Sequence, residues 1–156
     1  MDVKNKRVVV TGAASGIGKA LCEAFHEADA QSIVAVDMNL DGAQETADSV
    51  NGIAVQANVG IEKDIIDVIQ KADEHAGGTD IFCSNAGIGG VPGFFEVEAS
   101  DWQNIWDVNV QSHIFAAKHV LPQMIERGEG YLVNTSSAAG LLTQLGAAGY
   151  SVTKAA

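Results

Sequence analysis

Two hydrophobic rhythms alternate along the chain. Arg7 to Thr11 is a short valine-rich run ending in a glycine cluster, and Ile17, Leu21, Phe25 and Ala28 then recur at spacings of four, four and three, the stripe of an amphipathic helix. Ser32 to Asp37 reads as a buried strand and Leu40 to Val50 as a helix, and Gly52 to Gln56 with Ile61 to His75 repeat the pair. Asp80 to Ser84 and Tyr131 to Thr135 supply two more strands. Between them a long helical stretch from Ser100 to Arg127 opens at Ser100 with Asp101 in its first turn, and Pro122 is expected to kink or split it. A last helix is expected over Gly146 to Ala156.

Five strands alternating with helices predict an α/β fold, a doubly wound parallel sheet of the Rossmann type, because right-handed crossovers lay the helices on both faces. The 156 residues suffice for one domain with a substantial core and are too few for two ordinary ones. No repeat or Pro/Ser-rich linker interrupts them, so residues 1–156 are read as a single domain.

Charge and composition narrow the function. Nine Lys and Arg against 20 Asp and Glu give a net charge of −11, which argues against a nucleic-acid partner. Ten of the acids fall between Asp37 and Asp80, opposed by Lys63 and Lys71, and read as solvated faces of the outer helices. No apolar stretch approaches the ~20 residues of a membrane span. The run Val8 to Val10 stops at Thr11 and Gly12, before a secretion signal could form. Cys22 and Cys83 read as small buried hydrophobes, which fits a reducing, cytoplasmic setting. His26, His75, His113 and His119 lack metal-ligand spacing and read as solvated or packed helix residues, and no metal is expected. Trp102 and Trp106 read as core.

Glycines are concentrated where chemistry is expected. Thr11-Gly12-Ala13-Ala14-Ser15-Gly16-Ile17-Gly18 lies where a strand ends and a helix begins. Gly12 suits the tight turn, Gly16 a close approach of backbone to a pyrophosphate, and Gly18 close helix-to-strand packing. The helix N-terminus would offer free N–H groups to the phosphates. Thr11, Gly12, Ser15, Gly16, Ile17 and Gly18 are therefore candidate cofactor-binding residues. Asp37 ends the second strand, where its carboxylate can accept from both adenosine ribose hydroxyls. A 2′-phosphate placed there would meet repulsion of ~4 kcal/mol at 4 Å and an effective dielectric near 20, so NAD is expected in preference to NADP.

Near the other end, Tyr150 and Lys154 stand at i and i+4, one face of a helix, after a strand whose carboxyl edge carries Ser136 and Ser137. A cation beside a phenol favours the phenolate, which makes Tyr150 a usable general acid/base at neutral pH.

With both sites in view, the chain resembles the short-chain dehydrogenase/reductase family over essentially its whole length, in the subgroup with a Thr-Gly-x-x-x-Gly-x-Gly turn and a Tyr-x-x-x-Lys pair. The resemblance implies that Tyr150 is the catalytic acid/base, that Lys154 lowers its pKa and binds the nicotinamide ribose, and that Ser137 orients the substrate oxygen. It also implies that Asn109, in Asp107-Val108-Asn109-Val110, holds a water linking Lys154 to solvent. Ser84-Asn85-Ala86-Gly87 is similar to the family's Asn-Asn-Ala-Gly motif, which places Asn85, Ala86 and Gly87 along the cofactor; Ser84 departs from it. Asn58-Val59 takes the place of an Asp-Val that recognises adenine, and an amide oxygen can accept the same hydrogen bond.

The implied reaction is reversible hydride transfer between a nicotinamide and a small-molecule alcohol or carbonyl substrate, by a homo-oligomer such as a dimer or tetramer. Ile88 to Phe95 and Ala138 to Leu145 are expected to line an apolar substrate pocket. The glycine spacing and Asn85-Ala86-Gly87 disfavour a sugar-nucleotide epimerase; a 3-oxoacyl reductase stays open, although Asp37 opposes the NADPH use it usually resembles. The rival class is a catalytically incomplete NAD-binding module or fragment, since five strands precede Ala156 where an order 3-2-1-4-5-6 is expected. The family's further strands, substrate loop and closing segment would then be absent. Weak or no turnover and an exposed, aggregation-prone apolar edge beside the fifth strand are expected in that case.

Overall fold

Valine, isoleucine and alanine runs too short for helices become the strands β1 (Arg7–Thr11), β2 (Ser32–Asp37), β3 (Ile53–Gln56), β4 (Ile81–Ser84) and β5 (Tyr131–Asn134). They form one parallel sheet in the order β3-β2-β1-β4-β5 in the computed structural model, which describes residues 2–90, 93, 95, 97–142 and 145–156. The α-helices among the described residues are α1 (Gly16–Glu27), α2 (Leu40–Ser49), α3 (Glu62–Ala76), α4 (Ala99–Trp106), α5 (Ser112–Arg127) and α6 (Ala148–Ala155).

Alternate strand side chains serve opposite faces. Val8, Val10, Ile33 and Cys83 pack with Cys22 of α1 and Ala47 of α2, whereas Val9, Val34 and Phe82 pack with Val68 of α3 and Val120 of α5. Each fully buried side chain of this size contributes about 1.5–3 kcal/mol, so a sheet covered on both sides needs apolar residues at nearly every position. Both cysteines are free and buried, and burial pushes each thiol up to about 12, as expected of small core hydrophobes. After β3 the chain crosses back over β1 to lay down β4 on its other side. The carboxyl ends of β1 and β4 therefore part company, and a crevice opens between them.

The long helical stretch departs from expectation in three places. α4 begins after Glu98 rather than at Ser100, because the Glu98 N–H donates to Asp101 Oδ2 at 3.0 Å. The interruption is a π-helical segment, Asp107–Gln111, where the Ser112 N–H reaches back to the Asp107 carbonyl. Pro122 sits inside α5 without ending it. Both Pro122 and Lys118, the residue four positions before it, are exposed, so the proline lies on the outer side of the helix. The tryptophans also depart from the core expected for them: Trp102 is half-buried and Trp106 is 37% exposed.

At the amino ends of β1 and β4 an ionic cluster pins the sheet. Arg7 binds Asp80 through Nε (2.8 Å) and Nη2 (2.5 Å), the Arg7 N–H also donates to Asp80 Oδ2, and Arg127 Nη2 donates to the Thr79 carbonyl. The Arg7 hydrogen bonds hold the Asp80 carboxyl below the usual carboxylate range, against the opposing effect of burial. A depressed native pKa stabilises the fold fully above the ordinary value of 3.8 and ceases to do so as pH falls through the native value. Asp80→Asn is expected to cost about 3 kcal/mol in urea unfolding at pH 7, with the deficit against wild type shrinking below pH ~4.

Candidate active site

The turn between β1 and α1 has the geometry its glycines require. Gly12 (φ +71°) and Gly16 (φ +53°) occupy the left-handed region. A Cβ on Gly18 would stand 2.0 Å from the Gly12 carbonyl oxygen, so only glycine lets α1 start this close to β1. A Cβ on Gly16 would meet nothing within 4 Å, leaving open space in front of the turn. Ser15 is the extended N-cap but makes no side-chain cap, no acid occupies the first turn, and Ile17 is exposed. The helix N-terminus thus faces the crevice with its N–H groups uncapped.

Asp37 stands beside this turn. Its two carboxylate oxygens accept from the Ala14 N–H (3.0 Å) and the Asn39 N–H (2.9 Å), and each keeps a lone pair for a further donor. Gly12, Asp37, Asn58, Val59, Ala86 and Gly87 all line one cavity of about 140 Å³ at the carboxyl end of the sheet. The Asn58 Oδ1 expected to read adenine already accepts the Gly60 N–H at 3.0 Å, which fixes its direction and leaves one lone pair.

Thr11 holds the crevice open from beneath. Its hydroxyl donates to the Cys83 carbonyl and accepts from the Asn85 and Ala86 N–H groups. One donor and two acceptor positions are the whole capacity of a hydroxyl, so Thr11 shapes the cradle and has nothing left for a ligand. Asn85 returns Nδ2 to the Thr11 carbonyl, and its Oδ1 accepts from the Thr135 hydroxyl, both at 3.0 Å.

The second cluster is built on α6 and the π segment. Lys154 Nζ donates to the Thr135 carbonyl at 2.9 Å and lies 5.9 Å from the centroid of the Tyr150 ring, so cation and phenol share a face as the i, i+4 spacing predicts. Ser137 is extended, and its Oγ accepts the Ala139 N–H at 3.2 Å, leaving its proton to donate elsewhere. Asn109, 4% exposed in the π segment, pairs both ways with the Ile88 backbone at 2.9 Å and donates to Thr153 Oγ1 at 3.1 Å. Both its amide protons are spent, so its side chain ties the loop after β4 to α6. The loops flanking Tyr150 meet where the Gly93 N–H donates to the Gly146 carbonyl. Of the residues expected to line the substrate pocket, Val91, Pro92, Phe94, Thr143 and Gln144 lie outside the described residues, while Phe95, Leu141, Leu142 and Leu145 are exposed.

Sequence reasoning missed Thr135, whose carbonyl carries the Lys154 ammonium and whose hydroxyl reaches Asn85. It follows the fifth strand directly before Ser136 and Ser137, which was the available signal.

A glycine turn at the switch point of a parallel sheet, with a tyrosine and lysine brought to the same edge, defines an α/β protein of the dehydrogenase kind. The model of the short chain dehydrogenase family matches residues 6–156, and the chain belongs to that family. An uncharacterized oxidoreductase of Staphylococcus aureus (strain MRSA252) is 34% identical over 97% of this chain and 67% of its own length. Glucose 1-dehydrogenase 2 of Bacillus subtilis (strain 168) is 34% identical over 87% of this chain and 55% of its own. Among solved structures, a short chain dehydrogenase/reductase from Burkholderia phymatum in complex with NAD superposes with a TM-score of 0.94 at 27% identity, covering 99% of this chain and 57% of that one. The chain spans roughly 55% to 67% of the length of these relatives. No helix among the described residues is long and apolar enough to cross a membrane.

Removing the Thr11 hydroxyl without changing shape tests the stitch. Thr11→Val is expected to lose about 1–3 kcal/mol by leaving two part-buried N–H groups without their acceptor, with faster amide exchange at Asn85 and Ala86 than at β2.

Proposed function

We propose that the chain carries the dinucleotide cradle and catalytic groups of an NAD-dependent oxidoreductase, a short-chain alcohol dehydrogenase or carbonyl reductase, which moves hydride between nicotinamide and a secondary alcohol or ketone. The observation that carries this reading is convergence: Tyr150, Lys154 and Ser137 stand at the same end of the sheet as the Gly12–Gly18 turn, and Lys154 is linked to that turn by hydrogen bonds through Thr135, Asn85 and Thr11.

The residues fit the cofactor. Open space before Gly16 and the uncapped start of α1 suit a pyrophosphate, and the cavity beside Asp37 suits an adenosine. The Burkholderia relative binds NAD. Nicotinamide, when bound, supplies the hydride acceptor or donor.

The protein's own groups handle the proton. Tyr150 takes it from the alcohol in oxidation and returns it in reduction, with the Lys154 ammonium 5.9 Å from the centroid of its ring. Ser137 donates its remaining proton to the substrate oxygen as that atom changes charge. Asn109 keeps the β4 loop and α6 in register around the pair. Asp37, with lone pairs free for ribose hydroxyls, favours NAD over NADP.

Two variants test the reading. Tyr150→Phe is expected to lower kcat about 10³-fold while NADH still binds, as read by fluorescence titration. Asp37→Ala is expected to shift the NAD/NADP preference about 10- to 100-fold toward NADP in kcat/KM; an unchanged ratio refutes the role given to Asp37.

A further inference from the structure

The glycine turn is gripped from outside, by α2. Thr46 lies in the interior of that helix and is 0% exposed. Threonine is a weak helix former, and a buried hydroxyl needs a partner. Inside a helix that partner is ordinarily the carbonyl one turn back. Here that carbonyl belongs to Gly42 and stands 3.1 Å from Thr46 Oγ1, but the Ala13 carbonyl of the glycine turn is nearer, at 2.8 Å. A hydroxyl has one proton to give, and the shorter contact directs it to the turn. Gly42 lets the helix come this close, since a Cβ there would stand 2.8 Å from the Ala14 Cβ.

The bond closes a ring. The Ala13 N–H donates to the Val36 carbonyl of β2 and the Ala14 N–H to Asp37 Oδ2, both at 3.0 Å. The other Asp37 oxygen accepts the Asn39 N–H, and the Asn39 side chain caps α2 by accepting the Gly42 N–H at 3.2 Å. Asp37 therefore fixes where α2 starts. Thr46, two turns further along, passes that position back to the peptide between Ala13 and Ala14. Ser15, the N-cap of α1, follows directly, so the setting of this peptide decides where the first N–H groups of α1 point.

We propose that Thr46 is a positioning residue for the dinucleotide, which sets the separation between the N–H groups that meet the pyrophosphate and the Asp37 carboxylate that meets the adenosine ribose. This rests on the dinucleotide reading of the cradle. Completely buried, Thr46 acts through the Ala13–Ala14 peptide and touches no ligand. Its effect falls on ligands that span both contacts. A ligand that must satisfy carboxylate and N–H groups at once gains from having their separation fixed in advance, whereas one that occupies the ribose pocket alone does not sense it.

The test titrates the intact protein with ADP, NADH and adenosine. Thr46→Val keeps the shape of the side chain and leaves the carbonyl of fully buried Ala13 without its donor. The dissociation constants of ADP and NADH are expected to rise about 5- to 20-fold, while that of adenosine stays within about 2-fold of wild type. Thr46→Ser, which retains the hydroxyl, is expected to restore them. Gly42→Ala keeps the Thr46 hydroxyl and adds a better helix former but pushes α2 off Ala14; it is expected to show the same selective loss, and it carries the test if Thr46→Val does not fold. A loss shared equally by all three ligands, ADP affinity unchanged in these variants, or a Thr46→Ser no better than Thr46→Val overturns the proposal. Wild type that binds neither ADP nor NADH fails the dinucleotide reading itself, whereas tight wild-type binding with indifferent variants fails the role of Thr46 alone.

Discussion

The arrangement depends on one stitch, the Thr11 hydroxyl placed between β1 and the loop leaving β4. Parallel strands on either side of a switch point have no reason to keep their carboxyl ends in register once the ladder stops. Thr11 supplies one by bonding the Cys83 carbonyl and two successive N–H groups beyond β4. That contact brings Ala86 so near Gly12 that a Cβ on Gly12 would stand 2.9 Å from the Ala86 Cα. Cradle and β4 loop are thereby one rigid object, and Asn85 extends it to Thr135 and so to Lys154. A ligand spanning the crevice would meet two walls already set at a fixed separation, which lowers the ordering cost of binding.

Strand boundaries were the most legible part of the chain, because burial on both faces leaves a continuous apolar run with polar punctuation. Arg7–Thr11 and Ser32–Asp37 coincide with their sequence-based limits. The turn and packing roles of Gly12 and Gly18 were legible for the same reason, since each corresponds to a steric demand at a fixed offset from a strand. The acids between Asp37 and Asp80 do sit largely on the outer faces of α2 and α3, as charge patterning suggested, and Lys63 pairs with Asp67 one turn on. Asp80 is the exception, drawn inward by two arginines that are far from it in sequence.

What sequence could not show depends on hydrogen bonds between distant segments. The π segment has ordinary helix-forming residues, and its extra residue is stabilised by what Asn109 gains in pairing with Ile88 and Thr153. Such bulges recur at functional sites because they re-aim one side chain without ending the helix. Pro122 does not split the helix, because a proline's effect depends on where it faces and not on its identity alone, and here it lies on the exposed side. Tyr150 and Lys154 could be paired by spacing, but the group that holds the lysine could not, because it is a backbone carbonyl.

That last point bears on how the site tolerates change. Lys154 is placed by the main chain of residue 135, so side-chain variation there would leave the ammonium where it is and sever only the link to Asn85. The position of the Thr135 carbonyl follows instead from the register of β5 on β4, in which Ser84 faces Asn134 and the Thr135 N–H donates to the Ser84 carbonyl. A slip of one residue would turn each β5 side chain to the opposite face and rotate the carbonyl away from Lys154. Leu132 is the strand's anchor against this, packed on the α3 and α5 face beside Phe82, while Tyr131 and Val133 on the other face stay 39% exposed. The proton chemistry proposed for Tyr150 therefore depends on the β4–β5 ladder, with Leu132 packed beside it, keeping the strand in step, and that dependence is invisible in any motif containing the tyrosine itself.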